Sequence, residues 1–240
     1  MIRLTCKVLS VDAITKTVYR IRLVRAPTYN FRAGQYLMVV MDHNDIRPFS
    51  MASTPLEQTF IELHIDASSL NLYARKLVEA VIKTQEITIE RPRGSAFLRD
   101  DTERPILLIA GGTGFSYIRS ILLTVLSLQP TRKVMIYWGG KKREHLYKLD
   151  ELEVLALQYS KLSVVPVVEQ CDDKQWKGRY GTVIMAVIQD YNYLKPYDIY
   201  IGGNFNMARV AQTLLCSECR AVVERIFSDA FSLERNFYFN

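Results

Sequence analysis

The apolar pattern of this chain changes period once, near residue 104, and that change limits the fold more than any single motif. Before it, alternation dominates. "VYRIRLV" at 18–24 and "FIELHID" at 60–66 put alternate side chains on opposite faces, and "GQYLMVVM" at 34–41 adds a β-rich run. Such strands are half-buried and antiparallel, as in a small barrel or a sandwich. One helical segment over 70–82 interrupts them, with Leu70, Tyr73, Leu77, Val78 and Val81 at helical spacing. "EITIERPRG" then returns to strand, and Pro92 to Gly94 end it. After Arg104 the runs "PILLIA", "VMIYWGG", "LSVVPVVE" and "DIYIGG" are continuously apolar. They alternate with helix-like segments at 115–128, 144–158, 182–190 and 205–216, which predicts βαβ units and a doubly wound parallel sheet. The charged stretch "LRDDTERP", 98–105, separates the halves, so the expected domains are 1–101 and 102–240.

Composition removes several function classes. Of 240 residues, 49% are apolar and 23% charged, enough for a core without disulfides. The net charge of +6 is spread along the chain, with no dense Lys/Arg block interleaved with aromatics. No nucleic-acid partner is therefore expected, whereas anionic small molecules such as nucleotides suit the charge. The start lacks a secretory apolar segment, and no run is long enough to span a bilayer. Four cysteines do not make a disulfide framework, so the expected location is cytoplasmic, with no membrane partner.

Gly111, Gly112, Thr113 and Gly114 close the first run of the second half and precede a helix. Neither the P-loop nor the G-x-G-x-x-G fingerprint fits them. Glycines at a strand's carboxyl end admit a pyrophosphate to backbone N–H groups, and the following helix N-terminus favours an anion. A bare strand-to-helix turn is the plainer alternative. Gly202 and Gly203 close the "DIYIGG" strand in the same way, which favours an extended ligand across both strand ends.

In the first half, "RPFSMAST" at 47–54 joins a cation, a rigid step, an aromatic ring and a hydroxyl. Pro48 places it at an edge or a strand start. Phe49 offers a face for a planar ring, and Ser50 donates or accepts a hydrogen bond. An ordinary strand would also read this way. Cys216 and Cys219 form a lone C-x-x-C without further ligands, so no metal is expected and the thiols read as structural or incidental.

Taken together the halves are more specific. "RPFS" on a strand of the first half resembles the flavin-binding R-x-[YF]-S motif of the ferredoxin–NADP reductase superfamily, and "GGTG" resembles that family's pyridine-nucleotide turn. Within the superfamily, "FRAGQYLMVVM", "RPFSMASTP", "IELHI", "LIAGGTGFSY", "IYWGG" and "FSDAF" resemble the bacterial NAD(P)H:flavin oxidoreductases, including the luminescence-associated flavin reductases, from about residue 2 to 231.

The resemblance implies a six-stranded antiparallel flavin-binding β-barrel over 1–101 and an NAD(P)-binding α/β domain over 102–240. Arg47, Pro48, Phe49 and Ser50 would border the isoalloxazine, with Ser50 as the catalytic residue near flavin N5. His64 and Ile65 would lie along the neighbouring strand, His64 being otherwise a satisfied, partly buried histidine. Gly111, Gly112, Thr113, Gly114 and Phe115, with Gly202 and Gly203, would receive NADPH or NADH. Lys141, Lys142 and Arg143 would meet the adenosine end, or simply start a solvated helix. Two departures stand out. Gly202-Gly203-Asn204 replaces the family's C-G-[PL], removing a thiol. Asp66 stands where a flavin phosphate would be repelled. The expected activity is hydride transfer to a loosely held flavin (riboflavin, FMN or FAD) used as substrate. Reduced flavin would leave for ferric complexes, oxygen or a transient flavin-using oxygenase. The rivals are a reductase with tightly held FAD serving one protein partner, and a nucleotide-sensing module without turnover. Leu233 to Asn240 run past the resemblance and receive no role.

Overall fold

The computed structural model describes residues 3–170 and 175–231. Its first half has β1 (Arg3–Ala13), β2 (Val18–Val24), β3 (Tyr36–Asp42), β4 (Asp45–Ser50), β5 (Phe60–Asp66), helix α1 (Leu72–Thr84) and β6 (Glu86–Glu90). The strands are antiparallel in the order β4-β3-β6-β1-β2-β5. The two ends of this sheet meet just past β4, where Met51 bridges Leu63 and the Ala52 N–H donates to the Glu62 carbonyl at 2.7 Å. That closure makes the sheet a barrel and removes its open edges. Pro48 sits in β4 opposite Met38, at the end of the strand order, where its missing N–H costs no ladder bond.

Inward-pointing Ile21, Leu23, Leu37, Val39, Ile61, Leu63, Ile87 and Ile89 fill the barrel. Helix α1 closes one end with Ala74, Leu77, Val78 and Val81. It begins two residues later than its periodicity predicts, leaving Leu70 outside the helix and 96% exposed. Tyr73 also faces outward and meets Phe49 edge-on at 6.3 Å instead of joining the core. Strand β5 departs from half-burial in the other direction. Ile61 to Ile65 are all buried, because the second half of the chain covers the face that carries Glu62 and His64.

The second half runs β7 (Ile106–Gly111), α2 (Phe115–Leu128), β8 (Val134–Gly140), α3 (Leu149–Gln158), β9 (Leu162–Val168), β10 (Arg179–Tyr180), α4 (Val183–Asp190), β11 (Asp198–Gly202), α5 (Phe205–Cys219) and β12 (Ile226–Phe227). All strands are parallel, in the order β10-β9-β8-β7-β11-β12. Leu108 and Ala110 of β7 join one core, Leu107 and Ile109 the core on the opposite face, which explains the continuous apolar run. The chain leaves β7 on one side for β8 and β9, then returns to its other side as β11. The topological switch point therefore lies between β7 and β11. Helix α3 starts at Leu149, not near 144, because residues 143–145 form a separate tight turn in which His145 Nδ1 accepts the Lys142 N–H at 3.0 Å. Among the described residues no helix is long and apolar enough to cross a membrane.

The segment between the halves is held by one buried cation. Arg132 donates to the carbonyls of Arg99 at 2.9 Å and Arg104 at 2.6 Å, and to Asp198 Oδ2 at 2.9 Å. Its side chain and that of Asp198 are both excluded from water. Arg132→Met would strand two carbonyls and leave Asp198 with only Arg104, itself half in solvent. The expected loss is about 3–5 kcal/mol by urea unfolding. A loss under about 1 kcal/mol would show that the clamp contributes little.

Candidate functional site

The turn after β7 is a single 3-10 turn, Gly112–Gly114, leading directly into α2. Its glycines are needed for different reasons. Gly112 has φ +52°, and no atom lies within 4 Å of where a Cβ would be, so this position is left-handed and open. A Cβ on Gly114 would lie 2.2 Å from the Gly202 carbonyl carbon, and one on Gly202 would lie 2.2 Å from the Gly114 oxygen. Backbone meets backbone across the switch point, and no side chain fits between. Gly111 and Gly203 flank Met207, whose Sδ would sit 2.4 and 2.6 Å from their added Cβ atoms. The Gly114 carbonyl thus occupies the space that any side chain at Gly202 would need. Thr113 is half-buried in the turn. Phe115 is fully buried and stacks on Trp138 with ring centroids 3.9 Å apart, so its side chain supports the turn from below and does not line it.

On the barrel side, Arg47, Pro48, Phe49 and Ser50 are all half-buried along β4. Arg47 pairs with Asp45 and lies 5.3 Å over the Tyr73 ring. Ser50 Oγ donates to Asp229 Oδ2 at 2.5 Å. Asp229 follows β12, so this bond joins the barrel to the far end of the α/β sheet. Burial raises the Asp229 carboxyl to about 6, against the Ser50 hydroxyl and backbone N–H groups that lower it. Beside it, Ser228 Oγ is buried with no hydrogen-bond partner. Asp229 was not singled out from sequence: the only signal was the "FSDAF" block, and no periodicity marks a residue whose partner is 179 positions away.

Ser50 and His64 lie one step beyond the Met51–Leu63 bridge on their two strands, which makes them neighbours. The Ile65 side chain belongs to the barrel core. The His64 ring is buried between the halves, with Nε2 3.0 Å from Glu62 Oε1 and Nδ1 3.2 Å from the Tyr147 hydroxyl. Neither side chain is open to a ligand, so only backbone is available at these two positions. Burial pulls the His64 imidazole below its usual value, against the opposing effect of Glu62. The Glu62 carboxyl would be raised by burial, but His64, Arg119 and Arg22 together hold it well below the carboxylate range. Ser116 Oγ, in the first turn of α2, reaches the His64 carbonyl at 3.4 Å. Ser50, the β5 backbone, the glycine turn and Gly202 are therefore brought round one crevice.

The remaining candidates lie apart from it. Asp66 accepts the Ser68 N–H at 3.0 Å and shapes the loop before α1. Lys141, Lys142 and Arg143 are exposed beyond the carboxyl end of β8. Cys6 is buried in the barrel, Cys216 is half-buried, and the Cys219 thiol donates to the Tyr191 carbonyl at 2.9 Å. Among the described residues no group of three His, Cys, Asp or Glu side chains gathers to hold a metal. Cys171 and the segment Leu233 to Asn240 lie outside the described residues.

The glycine contact gives a direct test. Gly202→Ala would press a methyl into the Gly114 carbonyl and displace the turn, with a stability loss of about 2–3 kcal/mol by urea unfolding. Gly112→Ala meets no protein atom and should cost stability only the left-handed strain, about 1 kcal/mol. A loss for Gly202→Ala no larger than that for Gly112→Ala would refute this account.

Comparison with known proteins fits this geometry. The family described as "Oxidoreductase NAD-binding domain" matches residues 108–213. The chain is 44% identical to the NAD(P)H-flavin reductase of Aliivibrio fischeri, covering 95% of this chain and 98% of that protein. It is 42% identical to the Vibrio harveyi NAD(P)H-flavin reductase with the same coverage. Among solved structures, the Amycolatopsis cytochrome P450 reductase superposes with a TM-score of 0.86 at 25% identity, over 96% of this chain and 70% of that one. The Neisseria gonorrhoeae ferredoxin NADP+ reductase, with bound FAD and NADP, shares the fold at TM-score 0.76 and 16% identity, over 94% and 97% of the two chains. With its closed antiparallel barrel, its parallel nucleotide sheet and near full-length identity above 40%, the chain belongs to the NAD(P)H-flavin reductases of the ferredoxin–NADP reductase superfamily.

Proposed function

We propose that this protein passes a hydride from NADPH or NADH to riboflavin, FMN or FAD held loosely as a second substrate. Reduced flavin then leaves for ferric complexes, oxygen or a flavin-using oxygenase met transiently. The observation that carries this reading is the Ser50–Asp229 pair at the crevice where β4 meets the strand ends of the nucleotide sheet. The flavin ring would lie along Arg47 to Ser50 and the β5 backbone at His64 and Ile65. The orphaned Ser228 Oγ beside Asp229 fits a polar ligand there. The nucleotide would lie over the open side of Gly112, with Thr113 and the α2 N-terminus toward its anionic part and Gly203 beyond. Lys141, Lys142 and Arg143 would face its adenosine end. In this reading the flavin-binding unit is 1–101 and the nucleotide-binding unit 102–240. The cytoplasm, which supplies NADPH and NADH, is its compartment in this reading.

The chemistry asked of the protein is mostly orientation. Nicotinamide C4 must meet flavin N5 with little water between them. N5 accepts a hydrogen bond before reduction and carries a hydrogen afterwards. Ser50 suits both states, since a hydroxyl donates and accepts. Asp229 complements it: ionised, it takes the Ser50 hydrogen, and protonated, it supplies one. Loose binding is supported by Asp66, whose carboxylate stands before α1 where a flavin phosphate would be met by like charge. The tight-FAD alternative requires a stoichiometric yellow chromophore that survives gel filtration. Steady-state NADPH and NADH oxidation, with each flavin titrated, tests the proposal; no turnover with any flavin would refute it.

Ser50→Ala should keep the fold and the NADPH KM while lowering kcat/KM for riboflavin at least ~10-fold. Wild-type turnover would remove the role given to Ser50. Asp229 supplies a pH test. Its folded-state value of about 6 lies above the ordinary 3.8, so between those values the folded chain keeps a proton that the unfolded chain has lost. This contribution is fully present below the lower value and is lost as pH rises through the upper one. Relative to the parent, Asp229→Asn should gain roughly 2–3 kcal/mol in urea-unfolding stability between pH 4 and pH 7. A difference that stays flat across this range would contradict a buried, raised carboxyl.

A further inference from the structure

We propose that Trp138, Tyr147 and His64 form a positioning relay that ties the nucleotide turn to the flavin strand β5 and sets the distance for hydride transfer. The inference rests on the reading of the crevice given above and assigns residues that the proposed chemistry does not itself use. Trp138 Nε1 donates to the Gly112 carbonyl at 3.0 Å. Its ring lies flat on Phe115, at 3.9 Å and 11°. Tyr147 meets Trp138 edge-on at 5.1 Å and 90°, and Phe115 at 6.0 Å and 83°. Its hydroxyl reaches His64 Nδ1 at 3.2 Å, and His64 Nε2 reaches Glu62 Oε1 at 3.0 Å. An unbroken path of rings and hydrogen bonds thus runs from the turn to the barrel.

The path has a direction. A carboxylate only accepts, so His64 Nε2 must carry the hydrogen that points at Glu62. Neutral His64 then accepts at Nδ1, and the Tyr147 hydroxyl donates to it. A single tautomer satisfies both bonds, which fixes the ring and the strand that carries it. At the other end, the trans peptide between Gly112 and Thr113 sets its C=O and N–H on opposite sides. With the carbonyl held by the indole, the Thr113 N–H faces away from Trp138. No protein atom fills the open side of Gly112, which leaves that side of the turn accessible to a ligand. Tyr147 itself follows the carboxyl end of β8, so strand, turn and barrel are located by one side chain. An error of about 1 Å between the reacting groups costs roughly 100-fold in rate, which makes such a relay consequential.

The test uses the full chain with riboflavin and NADPH, either unlabelled or deuterated at nicotinamide C4. Tyr147→Phe removes one hydroxyl and Trp138→Phe removes the indole N–H. Each should lower kcat about 10-fold and raise the deuterium isotope effect on kcat, with riboflavin affinity and NADPH KM within about twofold of the parent. Because both act through one path, the double variant should fall less than the product of the single effects. Unchanged kcat and isotope effect in folded variants would overturn the relay. So would losses confined to melting temperature, to KM or to folding itself in both variants, since each would mark a purely structural cluster. If only Tyr147→Phe fails to fold, kcat and the isotope effect of Trp138→Phe decide. A parent chain without NADPH oxidation in the presence of flavin would remove the hydride-transfer reading as well. An active parent with unaffected variants removes only the relay.

Discussion

Glu62 is a carboxylate at 1% exposure, and a charge in that position must be matched on every side. Arg22 of β2 reaches it at 2.7 Å and Arg119 of α2 at 3.3 Å, while His64 lies 3.0 Å away. Two of these partners come from the barrel and one from the nucleotide domain. Arg119 continues to Glu151 at 2.6 Å and to the Ala52 carbonyl at 2.9 Å. The barrel wall therefore reaches its stable ionic state only when α2 is docked on it. Separating the domains would leave Glu62 short of a cation and hydrate a surface built to be dry. Their relative orientation is fixed by charge as well as by shape, and the crevice between them inherits that precision.

The glycine turn shows how two demands converge on one short stretch. Gly111 and Gly114 are small because Met207 and the β11 backbone approach them, while Gly112 is glycine because its φ is positive. A sequence reader sees three glycines and infers a ligand. Much of their cause is the packing of β7 against β11 at the switch point, and only the open face of Gly112 is left for a ligand. Both causes belong to one design, since a crevice at a switch point requires two strand ends brought close enough to share a guest.

The architecture was largely legible in the sequence, because it rests on local periods. Alternation marked the barrel strands, continuous apolar runs marked the parallel sheet, and residues 115–128 and 134–140 match α2 and β8 to the residue. The two-residue strands β10 and β12 were not, since nothing that short carries a period. Burial of the whole of β5 also escaped notice, because its second face is covered by a partner distant in sequence. The site divides along the same line. Ser50 and the glycine turn are read from local residue types. Asp229, Trp138 and Tyr147 are tied in by contacts distant in sequence, and their residue types recur throughout the chain. His64 and Phe115 were expected to line the site, but their side chains turn inward for reasons that only the docked domains reveal.

The bond from Ser50 to Asp229 joins residues 179 apart. A chain emerging from the ribosome at about 5–20 residues per second completes its barrel strands many seconds before Asp229 appears. During that interval the nascent barrel presents Ser50 without its carboxylate and lacks the parallel sheet that takes the nucleotide. The pair that joins the two sheets therefore closes only after both have been synthesised, and a fragment that stops before β12 (Ile226–Phe227) lacks one of its ends.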